Sequence, residues 1–219
     1  MKRILLLILM TLLVVAGTAQ AETGKRAAIG TFTHDEMSHW EERSFKGHTS
    51  YQLIGKATPL TLQATCKNTA SAFYRKISVD LTKTPMLHWS WRVDGVHPGL
   101  KETTKVGDDY AARVYVVYAP NVLFPWQTKA VNYVWANSQS IGASWPNAFT
   151  DHAIMVAARS GQPAKLGQWV NETRNVRDDF KKFFGMDITS IDGVAVMTDC
   201  DNSGLPSSGY YRAIWFSAD

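Results

Sequence analysis

The sequence lacks the short motifs that identify common classes of enzyme. It contains no Gly-x-Ser-x-Gly elbow, no His-Glu-x-x-His pair, no glycine-rich phosphate loop and no Cys-x-x-Cys. Its six histidines are scattered, and no two of them have the helical spacing of a metal-ligand pair. The sequence therefore identifies no catalytic residue, and whether the protein is an enzyme stays open at this stage.

Long apolar runs are absent after the first fifteen residues. At the N-terminus, two basic residues precede a run at positions 4–15 that is apolar except for Thr11, and Ala19 and Ala21 put small residues at the two positions that a signal peptidase needs. A membrane-spanning helix needs about 20 apolar residues, so this order favours a Sec-type signal peptide over residues 1–21, cleaved after Ala21, over an uncleaved anchor. Because no cysteine follows the run, a lipoprotein anchor is not expected. We expect a periplasmic or secreted protein with no stable membrane anchor after signal cleavage.

A strong charge of either sign is absent from the mature chain. Residues 1–21 hold two of the 23 basic residues and none of the 19 acidic ones, which leaves 21 basic and 19 acidic side chains, a net charge of +2. No basic cluster falls on a predicted face, so no nucleic acid is expected as a partner. Residues 22–219 suit a single domain. The 8 Trp, 8 Tyr and 9 Phe suit a pleated β core.

Cysteine is scarce, with Cys66 and Cys200 alone in the chain. An oxidising compartment would allow them to pair as a disulfide. The alternative is two small buried apolar residues, because their spacing says nothing about their distance in the fold.

Short strand-like segments separated by turn residues make up most of the chain. They cover residues 49–54, 60–65, 71–79, 86–93, 111–118, 130–136, 153–158, 167–175, 193–198 and 211–216. One stretch instead has helical spacing, with Val176 and Phe180 on one face and Gly185 closing it. This pattern predicts an all-β, mainly antiparallel β-sandwich of jelly-roll type with one short helix near residues 176–184.

Alternation along residues 87–93 separates two faces. The odd positions are all apolar, whereas His88, Ser90 and Arg92 are polar, and a period of two sends the two sets to opposite faces of a sheet. We take residues 111–118, which carry Arg113 and Tyr115 on one face, as the neighbouring strand. The next strand, residues 130–136, then follows beside it.

These strands together predict a ligand-binding face. Its members are polar or aromatic side chains on the outward side of the central strands, with two carboxylates at the rim. The predicted contacts are His88, Arg92, Arg113, Tyr115 and Trp135, with Asp108 or Asp109 at the rim. The alternative is a solvated sheet face on which Arg92 and Arg113 pair with Asp108 and Asp109.

A polar loop near the C-terminus suggests a cation site. Asp199, Asp201 and Ser203 fall at positions 1, 3 and 5, and Gly204 at position 6, as in the first half of a calcium loop. Position 12 is Tyr210 rather than an acid, and no helices flank the loop. A structural Ca²⁺ site is therefore one interpretation, and a polar turn capped by its own side chains is the other.

Five segments together resemble the bacterial domain-of-unknown-function family 3047. They are Trp89-Ser90-Trp91-Arg92-Val93, the stretch from Gly107 to Tyr115, Asn132-Tyr133-Val134-Trp135, Glu172-Thr173-Arg174-Asn175-Val176 with Asp179-Phe180, and the stretch from Gly193 to Gly204. The resemblance covers residues 32–216. It implies an exported β-sandwich similar to galactose-binding-like and carbohydrate-binding modules, and it supplies no catalytic residue.

Three classes of function follow as hypotheses. The first is a non-catalytic binding module for a glycan or small polar ligand. The second is a carbohydrate-active enzyme, a hydrolase or lyase, on a jelly-roll scaffold, since a fold does not decide a function. The third is an interaction protein of the cell envelope.

Overall fold

The computed structural model describes residues 26–121, 123 and 127–219, so the predicted signal peptide lies outside the described residues. Two β-sheets built from these residues pack face to face. In chain order the strands are β1 (Ala27–Gly30), β2 (Glu41–Lys46), β3 (Ser50–Ile54), β4 (Thr61–Cys66), β5 (Ala70–Asp80), β6 (Met86–Val93), β7 (Arg113–Tyr118), β8 (Lys129–Ala136), β9 (Ser144–Asn147), β10 (Thr150–Ser160), β11 (Val170–Asn175), β12 (Ser190–Met197) and β13 (Ser207–Ser217). A 3₁₀-helix (Asp35–His39) precedes β2, and α1 (Val176–Phe184) follows β11.

The strands divide between a six-stranded and a seven-stranded sheet. The six-stranded sheet has the order β11-β6-β13-β4-β3, with β1 also paired to β13. The seven-stranded sheet has the order β2-β5-β12-β7-β8-β10-β9. Neighbouring strands run antiparallel except β8 and β10, which are parallel. The predicted mainly antiparallel β-sandwich is confirmed.

The predicted short helix is also present, and its ends show why it forms there. The side chain of Asn175 accepts a hydrogen bond from the backbone N–H of Asp178 at 3.1 Å, which satisfies one free donor of the first turn. Gly185 closes the helix in the left-handed region at φ 67°, where a side chain would be strained. Its N–H donates to the carbonyl oxygen of Lys181.

Three short strands were not predicted, and each has a local reason. Every residue of β2 is exposed, so this charged edge strand shows no alternation of burial. Strand β9 contains Pro146, which ordinarily argues against a strand interior but is tolerated on an edge. Strand β1 has only four residues and pairs with one neighbour.

The predicted neighbour relationship between β6 and β7 is wrong. Strand β6 lies between β11 and β13, whereas β7 lies between β12 and β8 in the other sheet. The period of two correctly assigns the buried face of β6, but it holds no information about which strands pair. The apolar faces of β6 and β8 instead meet across the core.

Aromatic side chains dominate the contact between the sheets. Trp89 of β6 stacks on Tyr133 of β8 with ring centroids 5.2 Å apart, and Trp91 packs on Trp135 at 5.8 Å. All four side chains are buried. The alternation predicted for residues 87–93 is therefore correct, and it places His88, Ser90 and Arg92 outside the core.

One disulfide fastens the loop before β13 to the six-stranded sheet. Cys66, at the end of β4, is bonded to Cys200 with their Cα atoms 6.0 Å apart. The bridge joins positions separated by 134 residues. Among the described residues, no helix is long and apolar enough to cross a membrane.

Candidate functional site

The structure does not bring the predicted contact set together. His88 and Arg92 lie on the outer face of the six-stranded sheet. Arg113 and Tyr115 lie in β7 of the other sheet, where Tyr115 packs against a small outer cluster of apolar residues. Trp135 is 3% exposed and belongs to the core between the sheets. The prediction treats β6 and β7 as neighbours and Trp135 as outward-facing, and the topology and the burial of Trp135 contradict both.

Arg113 forms a buried ion pair instead of an open binding group. Its guanidinium donates two hydrogen bonds to the Asp199 carboxylate, one of them from Nε at 2.9 Å, and a third to the backbone carbonyl of Asp108 at 2.9 Å. Burial acts most strongly against the charged form, but the charges and hydrogen bonds around the guanidinium, those of Asp199 first and of Asp108 next, together raise the pKa of Arg113. Arg113 thus has a carboxylate partner, but this is Asp199 rather than the predicted Asp108 or Asp109. Asp108 accepts instead from the Asn147 side chain at 2.8 Å.

The loop from Asp199 to Gly204 has the geometry of a polar turn. Carboxylate oxygens of Asp109, Asp199 and Asp201 lie within 4.8 Å of one another. Asp109 already accepts the backbone N–H groups of Asn202 at 3.1 Å and Ser203 at 2.6 Å. Asp199 is occupied by its ion pair. Two of the three carboxylates therefore serve protein donors, which favours the capped turn over the predicted Ca²⁺ site.

The outer face of the six-stranded sheet carries polar and aromatic side chains in register. Tyr210 of β13 lies opposite Arg92 of β6 on one side and Gln63 of β4 on the other. Trp169, just before β11, extends this row because its neighbour Val170 pairs with β6. One row across three strands and a strand end thus carries an indole, a guanidinium, a phenol and an amide, and the phenol ring of Tyr210 is buried beneath Arg92.

A second row lies beside the first. Ser90 of β6 is paired with Asn171 of β11 and with Arg212 of β13. The Ser90 hydroxyl donates to the Asn171 side-chain oxygen at 2.5 Å, and Arg212 Nε donates to the Thr61 hydroxyl at 2.6 Å. These hydrogen bonds hold the polar groups of the row in place across four strands.

Asp94 links the outer face to a cleft at its end. Its carboxylate accepts from Arg92 at 3.1 Å and from the Tyr210 hydroxyl at 2.7 Å. Gln63 donates to the same hydroxyl at 3.3 Å. Burial and the Asp94 contact both raise the pKa of Tyr210, so its hydroxyl stays protonated and keeps its donor role.

The cleft has a volume of about 290 Å³. Across it, His97 Nε2 lies 3.1 Å from the Ser207 hydroxyl and 3.2 Å from the carbonyl oxygen of Pro206. Its walls combine one carboxylate, one imidazole, three hydroxyls and backbone. The lining residues are Thr65, Asp94, Gly95, Val96, His97, Pro206, Ser207 and Ser208. Because Ser207 pairs with Cys66, the disulfide supports one wall of the cleft.

His88 is a well-anchored member of the outer face. Its ring stacks on Trp215 with centroids 3.8 Å apart, and its two nitrogens lie 2.8 Å from the Ser217 hydroxyl and 3.0 Å from the Thr173 hydroxyl. Burial lowers the pKa of this imidazole. The predicted residues that reach the candidate site are therefore His88 and Arg92.

Several residues of this surface were missed from the sequence. Tyr210 and Arg212 flank the buried Tyr211 in β13, but an irregularity in the pairing between Arg212 and Trp215 shifts the alternation, so a period of two over residues 207–217 groups them with the buried Ile214 and Phe216. Trp169 lies before a strand, and His97 lies in a loop. No sequence pattern places these two beside the sheet.

The fold and the outer face define a β-sandwich protein with one polar, aromatic sheet surface. The chain belongs to the protein family of unknown function DUF3047, whose model matches residues 38–215. No curated protein sequence matches the chain.

Solved structures with a related fold include carbohydrate-binding modules and a glycanase domain. The module TmCBM61, solved with β-1,4-galactotriose, has a TM-score of 0.40 and 7% identity, with 83% of this chain and 90% of that chain covered. A point mutant of a carbohydrate-binding module of family 29 has a TM-score of 0.40 and 8% identity, with 89% and 93% covered. The xyloglucanase domain of NopAA from Sinorhizobium fredii, solved with cellobiose, has a TM-score of 0.43 and 8% identity, with 90% and 98% covered.

Proposed function

We propose that this protein is a non-catalytic binding module for a glycan, and that its site is the outer face of the six-stranded sheet with the adjoining cleft. One observation carries the proposal. Hydroxyl, amide and guanidinium groups stand in register beside aromatic rings, and this surface leads through Asp94 into the cleft. Sugars offer hydroxyl groups to such donors and acceptors, and their C–H surfaces pack on aromatic side chains.

The chemistry of the cleft supports binding over hydrolysis. Glycoside hydrolases generally need two carboxylates about 5 to 10 Å apart, one of them as proton donor. Among the described residues that line the cleft, Asp94 is the only carboxylate, and it is engaged by Arg92 and Tyr210. A carboxylate held by two donors is suited to fixing the orientation of its partners.

We further propose that the protein works in the periplasm or outside the cell. The signal-like pattern of residues 1–21 supports this. So does the Cys66–Cys200 disulfide, because disulfides persist mainly in oxidising compartments.

A glycan panel tests the proposed function. The purified mature chain is applied to cello-oligosaccharides, β-1,4-galacto-oligosaccharides and oligogalacturonates, and the release of reducing ends is measured on the same samples. We expect binding without release. Loss of the Trp169 ring should weaken binding by about tenfold, as for an aromatic side chain that contacts the ligand.

Phe149→Ala is the matched control for Trp169→Ala. Phe149 is also an exposed aromatic residue, but it lies in the turn between β9 and β10 of the other sheet. Its loss should leave binding unchanged. Absence of binding to every probe, or equal effects of the two variants, would contradict the proposal. Release of reducing ends would favour the carbohydrate-active enzyme instead.

A further inference from the structure

The aromatic rings of the outer face are occupied by arginine side chains. Three guanidinium groups lie over three rings of this sheet. They are Arg212 over Trp169 at 4.2 Å, Arg92 over Tyr210 at 3.5 Å and Arg26 over Trp215 at 4.2 Å. The second face of Trp215 is covered by His88. The rings therefore position positive charge at the surface, in addition to offering apolar area.

Negative charge on this face is too sparse to neutralise the arginines. Asp94 pairs with Arg92. Among the residues that the structure describes, no carboxylate oxygen lies within 4.0 Å of the Arg212 or Arg26 guanidinium. Asp219 lies near His88, at the edge of the face. The arginines thus retain bonding capacity that a ligand can use.

We propose that the glycan bound here is acidic and that its carboxylate or sulfate groups bind Arg212 and Arg92. This inference rests on the proposed binding function. The planar guanidinium fork matches a carboxylate or sulfate with two parallel hydrogen bonds. Arg212 Nε is already held by Thr61, and the ring of Trp169 shields one side of the group, so its orientation is set before the ligand arrives.

The spacing of the two arginines suits a polymer with repeated acidic groups. Arg92 is paired with Tyr210, and Arg212 with Ser90, so the two arginines are diagonal neighbours on adjacent strands. The Cα atoms of such diagonal neighbours lie about 7 to 8 Å apart. The Ser90 hydroxyl and the Asn171 amide lie on the same face and are placed to bind sugar hydroxyls between acidic groups.

Chemically matched polymers test this inference. Wild-type protein is titrated with polygalacturonate and with its fully methyl-esterified form, and separately with dextran sulfate and with dextran. We expect the loss of the acidic groups to weaken binding by about tenfold or more, and added salt to weaken binding of the acidic forms. Inorganic sulfate at equal ionic strength should not compete, which distinguishes an acidic glycan from a free anion.

Two variants that each lack one positive charge test whether the outer face is where the acidic polymer binds. Arg212→Gln should weaken binding of polygalacturonate by about tenfold. Lys76→Gln removes the same charge from an exposed position on the seven-stranded sheet and should change binding by less than about twofold. Thermal melting checks that both variants fold, and Arg92→Gln provides a second variant on the face.

The outcomes separate this inference from the proposed function. Equal affinity for acidic and neutral or esterified polymers would overturn the inference and leave the binding function intact, and that comparison needs no variant. Competition by inorganic sulfate, or an equal effect of Lys76→Gln, would overturn it as well. Failure to bind any probe would contradict the proposed function itself.

Discussion

Trp91 and Trp135 face each other across the core from opposite sheets, with ring centroids 5.8 Å apart. The indole N–H of Trp135 donates to the carbonyl oxygen of Gly161 at 2.9 Å. We expect Trp135→Ala to lower the free energy of unfolding by about 3 to 5 kcal/mol, the usual range for a large buried aromatic side chain. Urea denaturation measures this.

Trp169 serves as the control for that prediction. It is only partly buried and lies at the edge of the outer face, so Trp169→Ala should cost much less stability than Trp135→Ala. Equal losses of stability in the two variants would contradict the assignment of Trp135 to the core and Trp169 to the surface.

The buried pair of Arg113 and Asp199 should be sensitive to the removal of one partner. Asp199→Asn removes the charge of the carboxylate that is hydrogen-bonded to the buried guanidinium, which should destabilise the protein by about 3 to 5 kcal/mol. The double variant Arg113→Met, Asp199→Leu removes both charges and should recover part of that loss. Equilibrium unfolding of the single and double variants measures the difference, and a double variant no more stable than the single one would contradict it.

The disulfide should contribute to the stability of the folded chain. It closes a long loop between positions 134 residues apart, so replacing Cys66 and Cys200 with alanine should cost about 2 to 5 kcal/mol. Reductant should lower the melting temperature of the wild type and leave that of the double variant unchanged. If reductant left the wild-type melting temperature unchanged, the bridge would have no such role.

His88 should make stability depend on pH. Burial lowers the pKa of His88 in the folded state, so as the pH falls the unfolded chain takes up the proton first. The stability that neutral His88 contributes is present above its unfolded pKa of about 6.5 and is lost as the pH falls through the lower, folded pKa. We expect the unfolding free energy to fall less between about pH 7.5 and 5 in His88→Gln than in the wild type. An equal fall in both proteins would show that His88 does not titrate in this way.

The sequence was sufficient to predict the fold class and the buried face of β6, but not the face of β8, where Trp135 lies in the core rather than on the predicted outer face. Periodicity is a local property, so residues 87–93 alone separate Trp89 and Trp91 from His88 and Arg92. The helix cap at Asn175 and the closing Gly185 are equally local signals.

Strand pairing and loop placement were beyond what local patterns hold. Arg113 and Arg92 both alternate with apolar neighbours, yet one is in a buried ion pair and the other is on the outer face of the opposite sheet. Arg113 is unavailable to a ligand because it pairs with Asp199, which is 86 residues away in the chain. The cleft likewise depends on two loops that only the tertiary fold brings together.

The most direct test of the site is to follow the tryptophan indole N–H signals by NMR during titration with the tightest-binding oligosaccharide of the panel. We predict that the signals of Trp169 and Trp215, on the outer face, shift on binding. The signals of Trp89, Trp91 and Trp135, in the core, should stay in place. Shifts confined to the core signals or to Trp145 on the seven-stranded sheet, with Trp169 unmoved, would contradict the assignment of the outer face as the binding site.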